Sequence, residues 1–392
     1  MPECSFDPYA ETLTEPEVWS VYADLQARCP VAHSPERGGF WMVSRFDDVR
    51  AALKDPETFS SAWGHRVPTT VEHGSIPINF DPPLHTQYRK LMTPFFTPSR
   101  VRELRPRLAE VMAEMIGRFR RDGGGDFVSA VALPFPLQVL VELLGFSEDT
   151  VSGLRELTEG LWAKVADFDY ADAMQDIFAL MRKELAEHRT SRRDDFVTSL
   201  LDATVDDRPL TEDEQCRMLS ALAVAGHETT MNSMSTLVFL LVSDPALQQR
   251  MRARPELAPH YVDEMLRLRT PAQNFARKTT REVEIGGVTI PEGDAVLLSY
   301  AAANRDPAKF PDPDRFDPDR DTRGHLGFGW GIHQCLGSVL ARAELTVLLE
   351  TLAAQPPVRA AGEAKWSPLH GGHHLGPVVL PVRFETEESG VA

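Results

Sequence analysis

Cysteine is scarce in this chain: Cys4, Cys29, Cys216 and Cys335 stand among 392 residues, irregularly spaced and with no Cys-x-x-Cys pair. That usage excludes a disulfide framework and a structural zinc site of ordinary spacing, and it fits a reducing cytoplasm. Positive charge is short as well. Lys and Arg number 41 against 58 Asp and Glu, a net charge of −17. Phosphate backbones and anionic lipid repel such a surface, so neither a nucleic acid nor a membrane is expected as a partner. No apolar run reaches the roughly 18 residues of a spanning helix. The opening MPECSFDPYAETLTEPEVW shows neither the basic nor the apolar region of a signal peptide. Gly and Pro together make up about one residue in seven, below the low-complexity range. What remains is globular, with 42% hydrophobic and 25% charged residues. The length suits two domains, or one large core organised around a body that is not protein.

Along the chain, residues 1–15 are expected to be irregular. A short strand is expected over Phe40 to Val43, followed by a helix that ends before Lys54-Asp55-Pro56. Ser61 to Pro83 lacks periodicity and reads as a long loop, the kind that usually carries function. Three middle segments, SRVRELRPRLAEVMAEMIGRFRR, FPLQVLVELLGF and AMQDIFALMRKELAEHR, place apolar residues at helical spacing. Thr211 with Glu214 forms a capping-box signature, and the pattern beyond it continues to about Val242, long enough to cross a whole domain. PELAPHYVDEMLRLR reads as a further helix. REVEIGGVTIPEGDAVLLSY reads as a small antiparallel sheet, and GPVVLPVRFE as a last strand. The fold class expected is mainly α with a minor β region.

The chemistry concentrates in FGWGIHQCLG, Phe328 to Gly337. Cys335 sits where a glycine-rich loop turns into a helix, and backbone N–H groups there favour a thiolate. Gly331 and Gly337 remove side chains on either side, so a large flat body can approach the sulfur, and Phe328 supplies an apolar cover. Those features suit an axial thiolate on haem iron. A lone cysteine is ordinarily a small core residue, but the glycines, Phe328 and His333 at these offsets turn the reading toward a ligand.

This segment resembles the cysteine loop of the cytochrome P450 family, Phe-x-x-Gly-x-x-x-Cys-x-Gly, in its soluble bacterial form, and further landmarks follow in order from about Phe40 to Phe384. The resemblance implies one haem domain over residues 1–392, a triangular helical prism with haem b between the long helix and the cysteine-loop helix. AGHETT, Ala225 to Thr230, resembles the family's oxygen-binding segment. Gly226 weakens the helix there by about 1 kcal/mol, and Thr229 is expected to take over a freed carbonyl and open the ladder beside the haem. By the resemblance, Glu228 relays protons from solvent and Thr229 hydrogen-bonds the reacting oxygen, while His227 packs or caps. Glu264 and Arg267 resemble a buried structural pair, with Arg320 as its third member. His85, Arg89, Arg277 and His333 resemble propionate partners, since two buried carboxylates need several donors.

The implied reaction is monooxygenation, RH + O2 + two electrons + two protons giving ROH + water, on a hydrophobic small molecule. The pocket is expected along the loop from Trp63 to Phe80, at Ala221, Val224, Ala272, Asn274 and Phe275, and near Leu369, with His65, Arg66 or Asn274 as polar anchors. No flavin- or iron–sulfur-binding segment is visible, so a ferredoxin and its reductase are the expected electron donors, and a cytoplasmic monomer is expected. Arg100, Arg102, Arg105 and Arg107 are equally well read as a docking patch for an acidic donor or as a solvated helix end. His65, His73, His325, His370, His373 and His374 show no spacing for a second metal. A haem-thiolate peroxygenase, a haem-based sensor or binding protein and a haem-free cysteine hydrolase are the competing readings. The first is disfavoured by the Glu228-Thr229 pair, the second needs no proton relay, and the third needs His and Asx partners at Cys335.

Overall fold

In the computed structural model, residues 6–69, 74–165, 171–369 and 372–385 are described; His73 and His370 lie outside them. The axis of the molecule is a helix over Glu212–Ser243. It starts where Thr211 and Glu214 satisfy each other: the Glu214 N–H donates to the Thr211 hydroxyl, and the Thr211 N–H donates to the Glu214 carboxylate. It ends where Asp244 accepts from the Ala246 and Leu247 N–H groups and so caps the next helix, Pro245–Ala253. At 32 residues it is about 48 Å long. Such length survives because the helix is apolar nearly all round and covered on all sides. Pro134–Leu144, Ala171–Thr190, Ala258–Leu268 and Ser338–Ala353 pack against it. Pro98–Arg121 in turn packs on Ser338–Ala353. Leu108, Met112, Ile116, Leu219, Leu237, Met265 and Leu348 are buried in the common core.

The β region is small. Five strands lie in the order Val31–Ser34, Phe40–Val43, Ala295–Ser299, Asn274–Thr279, Phe59–Ser60. Residues 281–300, expected as one antiparallel sheet, divide. Val283–Ile285 and Val288–Ile290 form a hairpin through Gly286 and Gly287, both at positive φ. Ala295–Ser299 leaves it, pairing parallel with Phe40–Val43 and antiparallel with Asn274–Thr279. The reason is burial: Val296, Leu297 and Leu298 are covered on both faces, which a two-strand ribbon cannot provide. The expected last strand also splits, into Pro377–Val379 and Pro381–Phe384, which pair in different sheets. Pro381 has no N–H to continue a ladder. The protein is mainly helical with small sheets, and among the described residues no helix is long and apolar enough to cross a membrane.

Candidate active site

A cavity of about 410 Å³ opens between the long helix and the cysteine loop. The loop is folded back on itself: the Cys335 N–H donates to the Phe328 carbonyl at 2.8 Å. Phe328 and Cys335 thereby face the cavity together, and the Arg342 guanidinium lies 4.5 Å over the Phe328 ring. Gly337 leaves open space where a Cβ would stand. Gly331 serves a different purpose from the one its sequence position suggests. Its φ is +72°, and a Cβ there would collide with the Leu53 carbonyl. Glycine is required at 331 by backbone packing on the helix Phe46–Lys54, not by the approach of a flat ligand.

The sulfur also departs from expectation. The helix begins only at Ser338, and its dipole fades outside the first turn. Cys335 is open to the cavity yet walled by protein, and that burial pushes its thiol up; the Gly337 N–H, Arg89 and Arg342 pull down without prevailing.

On one side of the cavity, polar groups converge without answering each other. His85, on the helix Leu84–Met92, lies against His333 with ring centroids 4.3 Å apart. Among the described residues neither ring nitrogen of His85, nor Nε2 of His333, has a hydrogen-bond partner. Burial, helped by Arg89 and Arg277, pushes His85 down to about 4 and His333 to about 2. Arg89, Arg277 and His333 line the cavity, whereas His85, packed on His333, is not part of its wall. Arg89 donates to the Gln334 carbonyl, and Arg277 to that of Ala276 at 2.7 Å. Buried polar atoms left without partners are costly, so this corner is built for acceptors from outside the chain.

On the long helix, Ala225 and Gly226 are exposed to the cavity while His227 and Glu228 are buried. Thr229 Oγ1 donates to the Ala225 carbonyl at 2.8 Å. The helix is nevertheless continuous here. A carbonyl has two lone pairs, so the hydroxyl adds to the ladder instead of opening it. Glu228 does not reach outward to solvent: its Oε2 lies 3.0 Å from His374 Nδ1, and its side chain is buried. His227 is held down by burial and bonds the Leu133 backbone.

Glu264 and Arg267 are fully buried and doubly bonded, at 2.7 and 2.8 Å. Arg267 also donates to the Asn304 and Pro313 carbonyls, and Arg320 Nε reaches Glu264 at 3.1 Å. These three sequence-selected residues come together. Ala221, Val224, Ala272 and Phe275 line the cavity, as do His65 and Arg66. Trp63, Asn274 and Leu369 lie outside its wall. Trp63 is turned to the surface, 46% exposed, under Lys278. Asn274 donates to the Tyr22 hydroxyl at 2.9 Å, because alternate residues of an edge-on strand face opposite sides. Leu369 packs in the core beside Leu13. Three of the four clustered arginines are answered by carboxylates: Arg100 by Glu103, Arg105 by Glu350, Arg107 by Glu110 and Glu142. His325 faces Asp263 at 3.6 Å, and among the described residues no cluster could hold a second metal. Sequence reading missed His373, His374 and Glu344 as cavity residues. The histidine pair carried a signal, two imidazoles in a glycine-rich turn; Glu344 carried only its isolation within an apolar helix.

The sequence pattern of the family described as Cytochrome P450 matches residues 153–355. The chain is 35% identical to mycinamicin IV hydroxylase/epoxidase of Micromonospora griseorubida over 92% of this chain and 94% of that protein. It is 37% identical to cyclomarin C epoxidase of Salinispora arenicola over 84% and 86%. The chain belongs to the cytochrome P450 family. Its fold matches a P450 of Mycobacterium marinum, solved with pseudoionone, with TM-score 0.90 and 28% identity over 98% of this chain and 99% of that one. A second match, CYP108D1 of Novosphingobium aromaticivorans, has TM-score 0.88 and 30% identity, covering 98% and 100%.

As a bacterial-type P450, the protein is an oxidoreductase with a haem-iron cofactor, a haem-thiolate monooxygenase acting on organic molecules and drawing electrons from redox partners. The residues present fit the haem. A cysteine sulfur faces the cavity, Gly337 leaves room beside it, and both ring nitrogens of His85 and Nε2 of His333, without hydrogen-bond partners among the described residues, stand with Arg89 and Arg277 as donors suited to two propionates.

Proposed function

We propose that this P450 is a single haem domain holding haem b, with Cys335 as axial ligand and His85, Arg89, Arg277 and His333 around the propionates. The haem supplies oxygen activation; the chain supplies everything that binds, orients and protonates. The Thr229 Oγ1 proton rests on the Ala225 carbonyl; turning of that hydroxyl would present the proton to oxygen in the cavity, and Glu228 would replenish it. Ala225 and Gly226 leave the space that oxygen and water need. Phe328 covers the sulfur side, keeping water from the ligand. Glu264, Arg267 and Arg320 hold the segment behind the loop and take no part in chemistry.

The substrate in this reading is a hydrophobic small molecule. Ala221, Val224, Ala272 and Phe275 offer it apolar walls, and His65 and Arg66 offer a polar contact. Hydroxylation, epoxidation and dealkylation all fit such a site. A ferredoxin and its reductase deliver the electrons, in the cytoplasm, to a monomer. The observation that carries the reading is the meeting, in one cavity, of the Cys335 sulfur, Arg89, Arg277 and a His333 whose Nε2 has no hydrogen-bond partner among the described residues, and Ala225, Gly226 and Thr229 of the long helix. Thr229→Ala tests the proton role. Haem and substrate spectra should remain, while electrons divert to peroxide and product per electron falls at least severalfold; unchanged coupling would remove Thr229 from the reaction.

A further inference from the structure

The turn from Gly372 to Gly376 is pressed onto the long helix. Gly376 permits this, since a Cβ there would collide with the Asn232 side chain. Asn232 lies one helical turn beyond Glu228, on the same face. Backbone bonds hold the turn from its other side. The Gln273 N–H donates to the His373 carbonyl at 2.8 Å, the Leu375 N–H donates to the Pro271 carbonyl at 3.0 Å, and His374 bridges Ala272. Fixed in this way, His374 Nδ1 stands 3.0 Å from Glu228 Oε2. Both residues are buried. Of the two, His374 belongs to the cavity wall and Glu228 does not.

Taking a carboxylate out of water is costly, and an imidazole at ion-pair distance offsets that cost for the ionised form, although here Nδ1 and Oε2 are close without being aligned as a hydrogen bond. We propose that His374 is a positioning residue for Glu228: its Nδ1 edge abuts Oε2, and a small rotation that brings its N–H into line sets both the orientation and the proton affinity of the acid. This rests on the proton role proposed above for Glu228. Among the described residues, further ionisable groups stand near the pair. His227 adjoins Glu228, with Arg155 acting on His227. On the turn, the His373 ring lies 4.5 Å from that of His374, and His65 and Arg66 act on His373. Burial pushes His227, His65 and His373 below the ordinary imidazole value. The two arginines are permanently charged.

The test uses the haem-loaded protein and the infrared carboxyl band of Glu228, assigned by its loss in Glu228→Gln. In His374→Phe the titration midpoint of that band should rise by about one pH unit or more. The pH profile of product formed per electron should move the same way. His374→Asn, which puts an amide N–H near the place of Nδ1–H, should restore both. An unchanged midpoint in His374→Phe overturns the proposal. If that variant does not fold, the same outcome in His374→Gln decides it, because the longer side chain carries its N–H away from the Nδ1 position. Failure of the underlying acid role looks different: Glu228→Gln would then couple electrons to product like the parent at every pH, whatever the infrared band does.

Discussion

The wall behind the cysteine loop and the core beneath the long helix treat buried carboxylates in opposite ways. Glu264 is sealed from water, and its oxygens accept from Arg267, Arg320 and the Asp317 N–H. Glu344 is just as enclosed, yet it has Thr230 as its partner and an Oε2 with none among the described residues, and burial pushes it up to about 8. In the first region geometry closes on itself, and the residues serve folding. In the second, polar groups stay neutral or await a partner, as His85 and His333 also do. The difference separates what holds this protein together from what it holds.

Breaking the closed region should cost most. Glu264→Ala leaves Arg267 buried and uncompensated, worth about 3–5 kcal/mol, so thermal unfolding should show a large loss of stability with little haem retained. A variant that folds and binds haem like the parent would erase the distinction. Next in size comes a pair of glycines. Gly331→Ala forces a Cβ into the Leu53 carbonyl at a positive φ, costing at least about 1–2 kcal/mol, whereas Gly337→Ala meets no protein atom and should leave the urea midpoint of the haem-free protein almost unmoved. Equal midpoints would show that the loop is not braced on Leu53.

The smallest signal is a pH slope from Glu344. Its folded value, about 8, lies above the ordinary carboxyl value, so the folded state binds the extra proton. That contribution is complete below about 4.5 and is lost as pH rises toward 8, by at most about 1.4 kcal/mol per pH unit. Unfolding free energies of Glu344→Gln should be flatter across that window, and parallel curves would mean that Glu344 is ionised in the fold.

Much of the helical frame and the cysteine loop was legible in the sequence, because caps, periodicity and glycine spacing are local. The Thr211–Glu214 box and the 328–337 motif each declare themselves within a few residues. What escaped depends on contacts across the chain. Ala295–Ser299 chose its partners by two-sided burial. Asn274 and Trp63 turned away from the cavity through strand alternation and surface packing, neither visible in a loop sequence. Gly331 is singled out in the sequence for ligand approach, whereas the contact that requires glycine there, Leu53, is remote in sequence. His374 was seen only as one of several histidines because nothing local says that Gly376 lets its turn lie against the helix carrying Glu228.

One spectrum tests the central claim most directly. Reduced protein treated with carbon monoxide should show the red-shifted Soret band of a thiolate-ligated haem, and Cys335→Ala should abolish it. A parent protein lacking that band, or a Cys335→Ala variant retaining it, would contradict the assignment of this sulfur to iron.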